Sequence, residues 1–184
     1  LAVEAVSRLP KHVHLVLVGE GKQFDALQKQ SQTLDISSRV HFPGRRSDVS
    51  RWLAAMDIFV NTSGSEGMSQ SILEAMAAGL PLVVSDVGDS ATLVGMEDER
   101  CGLVTPVNDV TSLVEALQTL VSDRSLRRQF GQRAHEHHHR DHSLSHMVRR
   151  YEELYSSLGG CPAETDAIDA LASTKSQPGS VIIG

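Results

Sequence analysis

Ser63-Gly64-Ser65-Glu66-Gly67-Met68-Ser69-Gln70-Ser71-Ile72-Leu73-Glu74-Ala75-Met76-Ala77-Ala78-Gly79-Leu80-Pro81 is the stretch on which the rest of the sequence is organised. Apolar runs suited to strands flank it, Ile58-Phe59-Val60 before and Leu82-Val83-Val84 after. Ser69 is a natural N-cap, and the spacing predicts a helix from there to Gly79, where a left-handed residue past the last turn is tolerated best by glycine. Pro81 blocks any continuation. Strand, glycine-bearing loop, helix and strand make one βαβ unit, whose loop lies at the carboxyl end of its strand, the side on which open α/β sheets hold ligands.

The chemistry of this stretch rests on two glutamates, Glu66 in the loop and Glu74 in the second turn of the helix. Backbone N–H groups of Met68 to Ser71 point out of the helix end and favour an anion. Glu74 follows Ser69 by five residues, roughly 7–8 Å along a helix axis, which is about the distance from a diphosphate to the ribose of a nucleotide. A carboxylate accepts from two neighbouring hydroxyls at once, which suits Glu74 to a ribose diol and Glu66 to a sugar beyond the phosphates. Two glutamates without further context would read as a solvated helix residue and a loop charge.

Outward from this unit, near-continuous apolar runs mark the other strands. Val13 to Val18 ends in the turn Gly19-Glu20-Gly21-Lys22, and Arg39-Val40-His41-Phe42 ends in Pro43-Gly44-Arg45-Arg46. Cys101 to Thr105 is a last short strand. Residues 1–9 carry a helical stripe with no strand before it, and a helix is expected up to about Thr33. Val49, Trp52, Leu53 and Met56 form another stripe, and residues 88–94 read as a loop with one helical turn. Asp109 caps a helix, a second runs from Asp123 to about His139, and Ser143 caps a third with Met147, Tyr151, Leu154, Tyr155 and Leu158 turned inward. Gly159-Gly160 ends it. The domain is therefore placed at 1–158, with 159–184 a loose polar tail. Strands alternating with helices imply an α/β class with a Rossmann-like, doubly wound parallel sheet.

Composition narrows the function. The chain has 184 residues, enough for one domain, and a formal charge of −6, which argues against nucleic acid as a partner. Seven arginines from Arg124 to Arg150 stand against Glu136 and Asp141, a local +5 that leaves −11 on the rest. Such a face is usually just solvated, and otherwise fits a partner domain or an anionic membrane surface. Two cysteines, Cys101 and Cys161, suit a reducing cytoplasm, and no apolar run is long enough to span a membrane. His135, His139, His142 and His146 would share a face of a continuous helix, but Asp141-His142-Ser143 reads as a break, and no zinc pattern is completed, so no metal is expected. Ser65 is not in a nucleophile-elbow motif, and Asp57 opens a strand where a receiver aspartate would close one.

The run S-E-G-M-S-Q-S-I-L-E-A-M-A-A-G-L-P-L-V resembles the signature of retaining GT-B glycosyltransferases of family 4, also called group 1. L-V-L-V-G-E-G-K, R-V-H-F-P-G-R, M-D-I-F-V-N-T-S, V-S-D-V-G-D-S and G-L-V-T-P-V-N-D are similar to further segments of that family, over roughly residues 1–158. The resemblance implies the C-terminal, donor-binding half of a GT-B fold, N-terminally truncated by its first strand. Carried over, Glu66 would be the carboxylate of the catalytic site and bind donor-sugar hydroxyls, helped by amides of Gly67, Met68 and Ser69. Amides of Gln70 and Ser71 would meet the diphosphate, Glu74 the ribose, and backbone near Gly44 and Arg45 the base. The substrate would be a UDP-, GDP- or ADP-sugar, with no cofactor and no metal. The partner would be an N-terminal acceptor domain of the same protein, without which the fragment is inactive. Localisation would be cytoplasmic, with a lipid-linked acceptor drawing the enzyme to the inner face of the membrane. Ser69-Gln70 departs from the usual Gly-Leu or Pro-Asn pair, and Asp89 and Thr92 stand where many members have Gly and Glu. The alternative is a non-catalytic module of the same fold that binds a nucleotide or a protein; an R-x(4–5)-K stretch after an upstream strand separates the two.

Overall fold

The computed structural model describes residues 1–158. Five strands alternate with helices, as the apolar runs require. The elements are α1 (Ala2–Ser7), β1 (Leu15–Val18), α2 (Phe24–Thr33), β2 (Val40–Gly44), α3 (Val49–Ala54), β3 (Phe59–Asn61) and α4 (Gln70–Ala77). They continue with β4 (Leu82–Ser85), α5 (Ser90–Val94), β5 (Gly102–Thr105), α6 (Val110–Ser122), α7 (Arg124–His137) and α8 (Leu144–Ser157). Every strand pairing among the described residues is parallel. Strand β4 is central, flanked by β3 and β5, and all four of its residues are buried. Its side chains alternate between faces as a pleated strand must. Val83 enters a core with α1 and α6, while Leu82 and Val84 enter a second core with Ile72, Met76 and Leu93. Helices thus cover both faces of the sheet, the doubly wound arrangement expected.

The sheet itself is divided. Among the described residues β1 pairs with β2 alone, and β3–β4–β5 form a separate sheet. Between them runs an apolar cleft of about 790 Å³, lined among others by Leu15 and Leu17 of β1, Ile58 and Val60 beside and in β3, and Val6 and Leu117 of the helices above. Burial of Val6 and Leu117 in a core shared with both sheets holds the two together without strand-to-strand hydrogen bonds.

Helix α4 ends as its sequence dictates: Gly79 has φ +73° beyond the last turn. A side chain at Gly131 of α7 would collide with the Gly79 carbonyl, so α7 crosses the end of α4 at backbone contact. After α7 the chain makes one wide turn over His138–His142, and Ser143 in extended conformation breaks the helix. The four histidines therefore do not lie on one continuous helix. The Ser143 hydroxyl caps α8, accepting from the His146 amide at 3.3 Å.

The apolar face of α8 overturns one expectation. Met147, Tyr151, Leu154, Tyr155 and Leu158 are exposed, Leu158 at 74%, and Leu144 joins them at 66%. Their heptad-like spacing gives an amphipathic stripe, but among the described residues α8 packs mainly on the preceding turn, and no layer covers it. The glycine stop and the polar tail lie outside the described residues. None of the described helices is long and apolar enough to cross a membrane.

Candidate functional site

The loop between β3 and α4 is held from beneath by a buried polar residue. Asn61 closes β3, pairs in register with Val84 and is 2% exposed. Its Oδ1 accepts the Ser63 amide at 3.0 Å, and its Nδ2 donates to the Ser69 hydroxyl at 3.4 Å. Ser63 in turn donates from Oγ to Glu66 Oε1 at 2.9 Å. Glu66, half-buried, thus stands over the carboxyl end of β3 with one oxygen engaged.

Ser69 sits at the N-cap of α4 with φ −81° and ψ 115°, as its sequence suggests, but its side chain caps nothing. The hydroxyl lies 3.0 Å from Ser71 Oγ and takes the Asn61 amide, and both serines are 5% exposed. The first amides of α4, those of Gln70 and Ser71, receive no capping side chain, so the positive end of the helix faces the loop mouth. Gly67, Met68 and Gln70 are exposed around it.

Glu74 projects from the next turn. It is half-buried, and its Oε2 is shielded from solvent with no hydrogen-bond partner among the described residues. Burial pushes its pKa above the usual carboxylate range. An acceptor of this kind is costly unless a donor meets it, which makes it a ready acceptor for a ligand hydroxyl.

Two residues that the sequence did not single out complete the frame. Gly88, at φ +50°, lies flush against the carbonyls of Glu66 and Gly67, where any Cβ would collide with them. The Asp89 amide also reaches the Gly67 carbonyl at 3.4 Å, so the turn before α5 props the loop that carries Glu66. Asp89 and Thr92 themselves are exposed. Asn61 was the other omission; a polar residue closing an otherwise apolar strand was the signal available.

Gly44 and Arg45 fall in the other sheet, at the carboxyl end of β2. Gly44 has φ +74° with open space over its Cα, and its carbonyl accepts the Gly19 amide at 3.0 Å, tying the two strand-end turns together. Beside them Arg46 pairs with Asp48 at 3.1 Å and lies 5.3 Å over the Trp52 ring. The site residues thus divide into one compact group, Glu66 to Glu74, and a second group at the end of β2. Among the described residues no three His, Cys, Asp or Glu side chains converge as a metal site would require.

The model of the family described as glycosyl transferases group 1 matches residues 1–137. A lipopolysaccharide core biosynthesis glycosyltransferase of Rhizobium meliloti is 39% identical over 134 residues, covering 73% of this chain and 38% of that protein. An N-acetyl-alpha-D-glucosaminyl L-malate synthase of Bacillus anthracis is 30% identical over 155 residues, covering 83% of this chain and 40% of its own length. The crystal structure of Anabaena HepE in complex with UDP-glucose superposes with a TM-score of 0.77 at 26% identity, covering 84% of this chain and 44% of that one. The chain spans about two fifths of the length of these two curated relatives.

Proposed function

The chain belongs to the group 1 glycosyl transferases, and we propose that it is the donor-binding half of a retaining member that moves a sugar from a nucleoside diphosphate to an acceptor hydroxyl. The observation that carries this reading is the start of α4: an uncapped helix end with a shielded, partnerless carboxylate oxygen of Glu74 one turn beyond it. An anion at the helix end and a hydroxyl donor at Glu74 would satisfy both at once, and a nucleoside diphosphate presents the two at that separation. The complex of HepE with UDP-glucose supports the same class of donor.

In this reading Glu66 receives hydroxyls of the donor sugar, with the amides of Gly67, Met68 and Ser69 beside it. The amides of Gln70 and Ser71 hold the diphosphate and stabilise the charge it gains as the glycosidic bond breaks, so no metal is needed. Glu74 holds the ribose, and backbone at Gly44 and Arg45 holds the base. An N-terminal domain of the intact enzyme supplies the acceptor, and the segment alone transfers nothing. The enzyme works in the cytoplasm, at the inner membrane face where its acceptor is lipid-linked.

Saturation-transfer NMR of UDP-, GDP- and ADP-sugars against the intact protein tests this. One nucleotide sugar should show saturation at its ribose and sugar protons, lost in Glu74→Gln. Equal binding of a 2′-deoxyribose donor by the wild type would remove Glu74 from the ribose.

A further inference from the structure

The backbone of the loop that carries Glu66 is propped from below by Gly88 and the Asp89 amide, but its outer side is open: side chains added at Gly64 or Gly67 would meet nothing within 4 Å. A glutamate there has three free torsions and would sample many directions unless something held it. What holds it is a short chain of polar contacts rooted in the sheet. Ser63 Oγ donates to Glu66 Oε1 at 2.9 Å, the Ser63 amide donates to Asn61 Oδ1 at 3.0 Å, and Asn61 Nδ2 donates to the Ser69 hydroxyl at 3.4 Å.

We propose that Ser63 and Asn61 are positioning residues, which aim the Glu66 carboxylate at the donor sugar and fix its place relative to the first turn of α4. This rests on the reading above that Glu66 meets the sugar. The residue types are those the task needs. Asn61 must accept from the loop and donate to the helix cap with one rigid group, which asparagine does and aspartate, with no donor, does not. The orientation of its amide follows from the Ser63 N–H, which can only meet the oxygen. Asn61 is also held in the sheet, the last residue of β3, almost fully buried and paired with β4. Ser63 holds one oxygen of Glu66 and leaves Oε2 for the sugar. Gly88 beneath the Glu66–Gly67 peptide fixes the backbone, and Ser63 fixes the side chain above it.

The experiment uses the intact enzyme with UDP-glucose as donor and UDP as a probe that lacks the sugar. Ser63→Ala should lower kcat/KM for the donor by about tenfold, the scale of one hydrogen bond to a charged group, and leave the Kd for UDP within about twofold. Ser63→Thr, which retains the hydroxyl, should recover most of the loss. In a Glu66→Ala background, Ser63→Ala should add nothing, because the two act through one carboxylate. If Glu66→Gln itself leaves transfer intact, the role of Glu66 falls, and the positioning claim with it. If Glu66→Gln is crippled while Ser63→Ala matches the wild type, the positioning inference alone is overturned. Equal losses for UDP and for UDP-glucose in Ser63→Ala would show a general disturbance of the loop and overturn it too.

Discussion

Helix α6 opens on Asp109, whose carboxylate accepts the amides of Thr111 and Ser112 at 2.9 and 3.1 Å. Helix α4 opens on Ser69, by residue type as good a cap, whose hydroxyl turns instead to Ser71 and Asn61. One helix end is closed by its own chain. The other is left open beside a half-buried carboxylate, one oxygen of which is shielded and has no partner among the described residues. Helices α7 and α8 follow α6, with Asp123 and Ser143 accepting amides of the first turn. These three starts consume their polarity internally, whereas α4, which like α1, α2, α3 and α5 has no side-chain cap, keeps its polarity beside the shielded, unpartnered Glu74 Oε2, and polarity retained there is what an anionic ligand can use.

The sharpest way to break this contrast is to close the open end. Ser69→Asp would put a carboxylate where α6 has one, and in the intact protein the affinity for a nucleoside-diphosphate sugar should fall by about a hundredfold or more, through repulsion of the diphosphate at close range. Titration calorimetry showing unchanged affinity would mean that the end of α4 holds no phosphate.

Glu74→Gln should weaken donor binding next most, by about 1.5–3 kcal/mol, as for one hydrogen bond to a charged acceptor. The pH dependence follows from burial, which raises the pKa of Glu74. The hydroxyl-accepting form is the anion, so donor affinity should be complete above that raised value and decline as pH falls through it, beginning above the usual carboxylate range. A Kd against pH profile that keeps this step in Glu74→Gln would assign it to another group.

At the closed end the effect is on stability. Asp109→Ala should lower the melting temperature by about 2–5 °C, as loss of a cap does, with donor affinity untouched. Hydrogen bonds from Ser112, side chain first and then backbone, hold the Asp109 pKa below its ordinary value. Its contribution is therefore present above the ordinary carboxylate pKa and lost as pH falls through the lowered one. Calorimetric melts of wild type and variant should converge in acid; a constant gap would indicate lost packing.

The smallest effect expected is none. Because amides and a helix end receive the diphosphate in this reading, EDTA should leave transfer by the intact enzyme unchanged. Loss of turnover restored by Mg²⁺ or Mn²⁺ would mean that the open end of α4 does not suffice.

The sequence disclosed the βαβ unit almost to the residue, because glycine, proline and serine punctuate it and its apolar runs are short and unambiguous. Ser69, Gly79 and Asp109 stand where their chemistry requires. The direction of the Ser69 hydroxyl was not legible, since it depends on Asn61, eight residues earlier and next to it only in the fold. Gly88 escaped for the same reason: its need for a bare Cα comes from the carbonyls of Glu66 and Gly67, a long-range contact. Periodicity gave α8 a correct apolar stripe and a wrong destination. A pattern of i, i+3 and i+7 positions says which side of a helix is apolar, and nothing about what lies opposite.

The division of the sheet can also be expressed as time. Backbone groups along a strand point alternately to one side and the other, so a strand paired on both sides has every amide engaged. Strand β4 is such a strand, whereas β1 and β3 each have one paired side and one side turned to the cleft. In deuterated solvent the amides of β4 would exchange uniformly slowly, those of β1 and β3 in a fast-slow alternation with a two-residue beat. That beat would be the signature of a cleft open to water, and its disappearance would mark the moment at which the edges of both strands found a partner.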